Sequence, residues 1–569
     1  MNLRPLTAVL MLAILLAIPT AATAHPERPA YFPNFNTGTK TFEAAFGAPP
    51  EYRRSGPVKV VCKPDSKERL IKSYGKERKL RKYTKGRKYS KRKNKRIAKH
   101  NKRVRKSQKD LRTRLKLLKQ CKFEHIQAAV NAAQSNDRVL VMPGVYREEP
   151  SRANPEPDPK CKGDYVDDPR GAGATNPGGI ATETTDGPNQ VPSYEYHLNC
   201  PNAQNLIAVL GDGPDADRAC DQRCNLQIEG MGKNPEDVYI LGERSKLNVI
   251  RADRADGIYL RNFKVEFSDF NNLYVLETNG FRFDKVVSGY SREYGFLSFA
   301  SDQGIYENLD AYGSGDSGIY PGSGPEGHCG RYGIEIRKVE SHDNNLGYSG
   351  TAGNGVWVHD SKFFNNGTGM VTDSFAAGHP GMPQDCAKWE NNEIYSNNFD
   401  ILGKERQEYC DQPIEKRDPK KVCSTFQNPT GTGVLIAGGN GNIVRNNHIY
   451  DNWRNGVMLH WVPAELRGDD KTGQSVNTPD QFDTSNKNSI RDNKVGVRPD
   501  GTRDPNGTDF WWDEQGIGNC WDGNTAAGGG KVSSDPATLP DCKGTGSSNR
   551  TGNQGKQAFL VPCATWDPK

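Results

Sequence analysis

Between residues 257 and 495 one short pattern of polarity recurs: an apolar residue, a charged or polar one, a further polar residue, then an apolar residue three positions on. Its instances are Leu260-Arg261-Asn262 with Val265, Phe283-Asp284-Lys285, Tyr306-Glu307-Asn308, Ile336-Arg337-Lys338, Val358-His359-Asp360 with Phe363, Trp389-Glu390-Asn391 with Ile394, Val444-Arg445-Asn446 with Ile449, and Ile490-Arg491-Asp492 with Val495. The third positions are separated by 23, 23, 30, 22, 31, 55 and 46 residues, so the base period is 22 to 23. A second element keeps step, a Gly followed by alternating apolar residues, as in Gly295-Phe296-Leu297, Gly318-Ile319-Tyr320, Gly369-Met370-Val371 and Gly456-Val457-Met458-Leu459. Short strands of two-residue alternation cannot bury their inner faces alone, whereas stacked turns can. The pattern therefore predicts an all-β solenoid of parallel strands, three to a turn. Asn262, Asn308, Asn391 and Asn446 at the tight bend suggest left-handed backbone there and a ladder of side-chain amides between turns.

Ahead of the repeat, Phe123, Ile126, Ala129, Val130 and Ala133 form one apolar face at helical spacing, suited to covering the open end of a solenoid. Val58 to Val61 reads as a strand. Between them, residues 63–122 hold 28 Lys and Arg against 4 Asp and Glu, a net of +24 that leaves −16 for the rest of a chain whose overall charge is +8. Ile97, Val104, Leu111 and Leu118 recur every seven residues, with Leu115 beside them, which predicts a helix in the later half of this insertion. Leu70, Ile71, Tyr74, Leu80 and Tyr83 would supply a partner, with Gly86 near the turn. Such a segment either attaches the chain to an anionic polymer or is a solvated spacer. No aromatic stacking platform accompanies the charge, which argues against nucleic acid.

Three stretches carry a family resemblance: FEHIQAAVNAAQSNDRVLVMPGVY at 123–146, LQIEGMG at 226–232 and DFWWDEQGIGNCW at 509–521. Together with the repeat, they resemble the right-handed parallel β-helix proteins of the pectate lyase superfamily, over roughly residues 123–542. The resemblance implies a right-handed single-stranded β-helix with an N-terminal capping helix. It implies no one activity, since the fold hosts lyases, hydrolases, epimerases and non-catalytic proteins.

The first 24 residues read as a secretory signal: Arg4, an apolar core from Leu6 to Ile18, and Ala22-Thr23-Ala24 as the cleavage site. The expected organisation is a signal peptide at 1–24, a flexible leader at 25–56, the basic insertion at 63–122, the β-helix at 123–520 and a disulfide-linked tail at 521–569. The mature protein is expected outside the cell or at its surface, as a monomer. Thirteen Cys in an exported chain point to disulfides. Proximity pairs Cys62 with Cys121, Cys161 with Cys200, Cys329 with Cys386, Cys410 with Cys423 and Cys520 with Cys542. That leaves Cys563 as the odd thiol, and gives no firm assignment for Cys220 and Cys224. Sequons stand at Asn366, Asn506 and Asn549.

With the inner face packed, chemistry falls to outward side chains and the loops beside one sheet. If Ile319, Met370, Val457 and Leu459 point inward, Tyr320, Val371, Asp373, Met458 and His460 point outward. Glu293, Asp316, His342, Asp343 and Arg454 precede those strands, and His328, His379, Asp385 and Trp461 follow them. Removing a C5 proton from a uronate needs a base and a group that neutralises the carboxylate. Asp316, Tyr320, His342, Asp343 and Asp373 are the catalytic candidates. Glu293, His328, His379, Arg454, His460 and Trp461 are candidates for binding substrate. The first expectation is a secreted protein acting on acidic polysaccharide as a lyase or epimerase. A hydrolase using Asp316, Asp343 and Asp373 is one alternative, and a non-catalytic envelope or adhesion protein is another. The Asn-Thr-Asp set of polygalacturonases and the Asp-Pro-His motif of mannuronan epimerases are both missing. No cofactor is required by this reading. Calcium is suggested by Asp212, Asp215 and Asp217 near Asp221, although EF-hand spacing is absent and an ordinary Asp-rich loop also accounts for them.

Overall fold

The computed structural model describes residues 30–32, 49–75, 91–167, 190–462 apart from 216, 328, 375–378 and 426–427, and 485–548 apart from 545, with residues 553 and 556. Successive strands fall in turn on three parallel sheets of 13, 11 and 10 strands, each pairing with its counterpart one coil later. The chain is a right-handed parallel β-helix. The 22–23-residue period is the register itself: Ile250 pairs with Leu273, Leu273 with Phe296 and Phe296 with Ile319. Inward residues of all three sheets form one continuous core, including Phe281, Phe283, Phe296, Ile319, Met370, Trp389, Val457 and Leu459. Each fully buried side chain of this size contributes about 1.5–3 kcal/mol.

All eight third positions of the repeat, from Asn262 to Asp492, are left-handed, with φ between 50° and 57°. The amide ladder, however, is built from the residue that follows the bend. Asn392, Asn447, Asn493 and Asn524 are linked Nδ2 to Oδ1 at 3.1, 3.0 and 2.9 Å. Asn391 and Asn446 are exposed. A left-handed residue turns its own side chain outward and aims the next one into the coil. A second ladder runs Asn344, Asn366, Asn397, Asn452 and Asn506, each step 3.0 Å. The sequons at Asn366 and Asn506 therefore lie inside the solenoid wall, buried, and Asn549 lies outside the described residues.

The helix Ile126–Asn131 buries Ile126, Ala129 and Val130 in the core's first layer. Its first two free N–H groups, at Ile126 and Gln127, donate to Glu148 at 2.9 Å each. Val58–Val61 pairs with Cys121–Phe123 and Arg138–Val141, so the basic insertion leaves from within the first coil. Its helices Ser66–Tyr74 and Lys91–Leu117 meet the coil through Leu70, Tyr74, Leu111, Leu115 and Leu118. Ile71 is exposed, and Leu80, Tyr83 and Gly86 lie outside the described residues. At the other end, Cys520–Asp522 and Ser534–Asp535 still pair with the sheets, so coiling continues past residue 520. Trp521 holds this last coil against Trp512, ring centroids 5.2 Å apart.

Among the described residues six disulfides are formed, the five expected by proximity and Cys220–Cys224. Cys563 lies outside the described residues, as does the segment 1–24 expected to be a signal. Part of the expected flexible leader is packed: Ala30 is buried and Phe32 rests on the outer face of the 11-stranded sheet, while Arg53 bonds to Gln227 at 3.0 Å. Apolar and hydrogen-bonding side chains there offset the entropy of ordering the segment. Among the described residues, no helix is long and apolar enough to cross a membrane.

Candidate functional site on the 11-stranded sheet

The strand Ser317–Gly322 alternates as its sequence demands: Ile319 enters the core and Tyr320 faces out. Gly322 makes room for the phenol ring, since a Cβ there would stand 2.2 Å from the ring of Tyr320. One coil earlier Tyr294 packs against Tyr320 at 4.5 Å, and its hydroxyl donates to Asp316 at 2.7 Å. One coil later Tyr320 bonds to Thr351, whose hydroxyl donates to Asp373 at 2.9 Å. Two phenols and two carboxylates thus form two hydrogen-bonded sets on neighbouring coils, joined into one chain by the Tyr294–Tyr320 ring contact. Glu293 joins at one side, accepting from Thr425 at 3.1 Å.

Burial above all, then the charge of Asp373, raises the Asp316 carboxyl well above the usual carboxylate range, against the pull of hydrogen bonds from Ser317 and Tyr294. Glu293 is pushed up by burial and by Asp316. Burial and Asp373 likewise raise Tyr320, which keeps its proton in this arrangement. The cluster is covered: Tyr320 is 2% and Asp316 3% exposed. Part of the cover is the segment Ala30–Phe32, held by Tyr31, whose N–H donates to Glu277 at 2.7 Å and whose ring lies 3.9 Å beneath Arg218.

The other candidates are distributed as follows. His342 does not join Tyr320. It ends a strand of the 10-stranded sheet, bonded to Asp310 at 3.1 Å and Asp343 at 2.5 Å and stacked between Tyr312 and Phe364. A bend separates that strand from the next on the 11-stranded sheet, and alternation restarts across it. Burial lowers its pKa, but the two carboxylates outweigh this and lift it to about 9. His379 is buried with its edge on Phe299. His460 and Trp461 lie farther along the sheet, His460 bonded to the Trp461 carbonyl at 3.0 Å and Trp461 to Asp513 at 2.9 Å. Arg454 donates to the Thr430 carbonyl at 2.9 Å. His328 lies outside the described residues.

Beside the cluster, at the corner with the 10-stranded sheet, a hollow of about 240 Å³ is lined by the rings of Tyr290, Tyr312 and Phe399, by Asp343, and by Arg406, Lys420 and Lys421. Its basic wall is the helix Lys404–Cys410, which carries Arg406, and the loop closed by Cys410–Cys423, which carries Lys420 and Lys421. That loop is fixed to the cluster's edge where Thr425 bonds to Glu293 and to the Gly315 carbonyl. Sequence reasoning passed over Tyr294 and this wall. Tyr294 immediately precedes the Gly295 repeat element, a readable position, but the approach of residues 399–425 to Tyr290 has no local signal. The aromatic row Tyr312, His342, Phe364, Tyr395 and Tyr450 was legible as the residue after each inward position of the 10-stranded sheet.

No family model matches the chain, and no curated protein matches it. Among solved structures, the A-module of mannuronan C-5 epimerase AlgE6 of Azotobacter vinelandii is 14% identical, with 72% of this chain and 92% of that one covered, at a TM-score of 0.37. Pectate lyase Pel9A is 11% identical, with coverages of 74% and 76% and a TM-score of 0.30. The periplasmic alginate epimerase AlgG is 11% identical, with coverages of 53% and 68% and a TM-score of 0.30. These are likenesses of fold, and they decide nothing about chemistry.

Proposed function

We propose that this is an exported carbohydrate-active β-helix protein that acts on an acidic polysaccharide by lyase or epimerase chemistry. The observation that carries this reading is the Tyr294–Asp316 and Tyr320–Thr351–Asp373 chain, next to a hollow whose aromatic rings and three cations suit a carboxylated sugar. In the reaction, the Asp373 carboxylate takes the C5 proton, and Tyr320 gives its phenol proton either to the opposite face of C5 in epimerisation or to the departing O4 as the C4–O4 bond breaks in elimination, then regains one from solvent. Asp316, which holds its proton to higher pH, hydrogen-bonds the uronate carboxylate and reduces its charge. Substrate entry requires Ala30 and Phe32 to leave the ring of Tyr320. His342 and Asp343 fall outside this set, and Asp343 is kept as a contact in the hollow. Six disulfides support export.

Purified mature protein incubated with alginate, pectate, glucuronan and hyaluronan, followed by unsaturated-product absorbance and by NMR of the C5 configuration, tests the reading. Turnover on one polymer that falls at least about 100-fold in Tyr320→Phe is expected. Turnover unchanged by Tyr320→Phe and Asp316→Asn, or none on any polymer, sinks it. The cover over Tyr320 together with the basic helix Lys91–Leu117 favours a second reading, a non-catalytic envelope protein held by charge. Salt-sensitive retention on anionic envelope polymers without turnover would be its signature.

A further inference from the structure

We propose that Asp212, Asp215 and Asp221 form a binding site for one divalent cation of the oxygen-seeking calcium class. Each of the three carboxylates offers an oxygen within 4.8 Å of the others. Calcium takes oxygen ligands at about 2.3–2.6 Å, so two oxygens on one ion stand at most about 5 Å apart, and this spacing falls inside that reach. Asp212 is fully buried. Its Oδ2 accepts from the Arg218 N–H at 3.0 Å and from Arg254 at 2.5 Å. Its other oxygen, Oδ1, is buried with no hydrogen-bond partner. A buried carboxylate oxygen left unmatched is costly, and a cation among these side chains would satisfy it.

The backbone is arranged to bring the third carboxylate in. A Cβ on Gly213 would stand 2.3 Å from Asp221 Oδ2, so only glycine leaves the space that carboxylate occupies. Asp221 is fixed by its N–H donating to the Gly211 carbonyl at 3.0 Å, and the Cys220–Cys224 disulfide brackets it. Nearby positive charge is already engaged, since Arg254 also bonds to Glu277 at 2.7 Å. Asp217 is outside the set: its carboxylate accepts from the Ala219 N–H at 2.8 Å. Of the four acidic residues that the sequence grouped, the fold brings three together. The same loop carries Arg218 over Tyr31, so an ion here would also steady the contact that holds Ala30–Phe32 in place.

Calorimetric titration of chelator-treated full-length mature protein with calcium chloride, and separately with magnesium chloride, tests the site without reference to turnover on any polysaccharide. One saturable calcium site per chain is expected. Asp215→Asn or Asp221→Asn should weaken it at least tenfold, and Asp217→Asn should leave it unchanged. Asp215 and Asp221 are exposed, and matching circular dichroism of each variant confirms that folding is retained. Absence of saturable calcium binding, or equal binding in Asp221→Asn, overturns the proposal. So does tighter binding of magnesium than of calcium.

Discussion

Truncating Asn447 to Ala removes the centre of an amide ladder, and its cost can be worked from the bonds it makes. Asn447 Nδ2 donates to the Trp389 carbonyl at 2.9 Å and to Asn493 Oδ1 at 3.0 Å. Its Oδ1 accepts from the Asn392 N–H at 2.9 Å and from Asn392 Nδ2 at 3.1 Å. After truncation, Asn392 Nδ2 keeps the Val358 carbonyl and Asn493 Oδ1 keeps the Asn447 N–H. The Asn392 N–H keeps nothing. Net losses of about 0.5–1 kcal/mol for each of the four bonds, the largest at the orphaned Asn392 N–H, give about 2–4 kcal/mol. The neighbouring Asn446→Ala touches only an exposed left-handed residue, and should cost about 1 kcal/mol. A solenoid can open coil by coil, so the assay is amide hydrogen exchange over residues 388–396, with the denaturant midpoint alongside. Faster exchange in Asn447→Ala than in Asn446→Ala is expected. Equal effects, or the reverse order, would refute the placement of the ladder one residue after the bend.

Two further outcomes are expected. His342 is held at about 9 by Asp310 and Asp343, above its ordinary 6.5. The protonated form's stabilisation is therefore full below about pH 6.5 and is lost as pH rises through about 9. Both carboxylates are largely solvent-exposed, so the effect is about 1 kcal/mol. His342→Gln should flatten the fall in unfolding midpoint between pH 6.5 and 9.5, and an unchanged slope would contradict the assignment. Replacing Phe32 with Ala and Ala30 with Asp should uncover Tyr320, seen as a several-fold faster nitration of that residue by peptide mass spectrometry. Unchanged nitration would mean that other groups provide the cover.

The repeat determined most of the architecture by itself. A period of 22 to 23 with two-residue alternation has one economical solution, stacked coils, and it correctly separated Ile319 from Tyr320 because strand geometry leaves no choice of face. It also located the left-handed bends at Asn262, Asn308, Asn391 and Asn446, since Asn tolerates that backbone better than most residues and recurs there in a fixed frame. Proximity sufficed for five disulfides because their partners close local loops. Tertiary structure alone decided which side chains meet. His342 lies next in sequence to the bend but belongs to another sheet. Tyr294 reaches Asp316 from the coil before, and Arg406 reaches Tyr290 across more than a hundred residues. Only the fold could show that the outward face is covered, that the leader supplies part of the cover, and that Asp212, Asp215 and Asp221 converge. Alternation and spacing are one-dimensional signals that specify faces and periods. Contacts between coils, loops and termini depend on how surfaces fit in three dimensions, for which the local pattern carries no record.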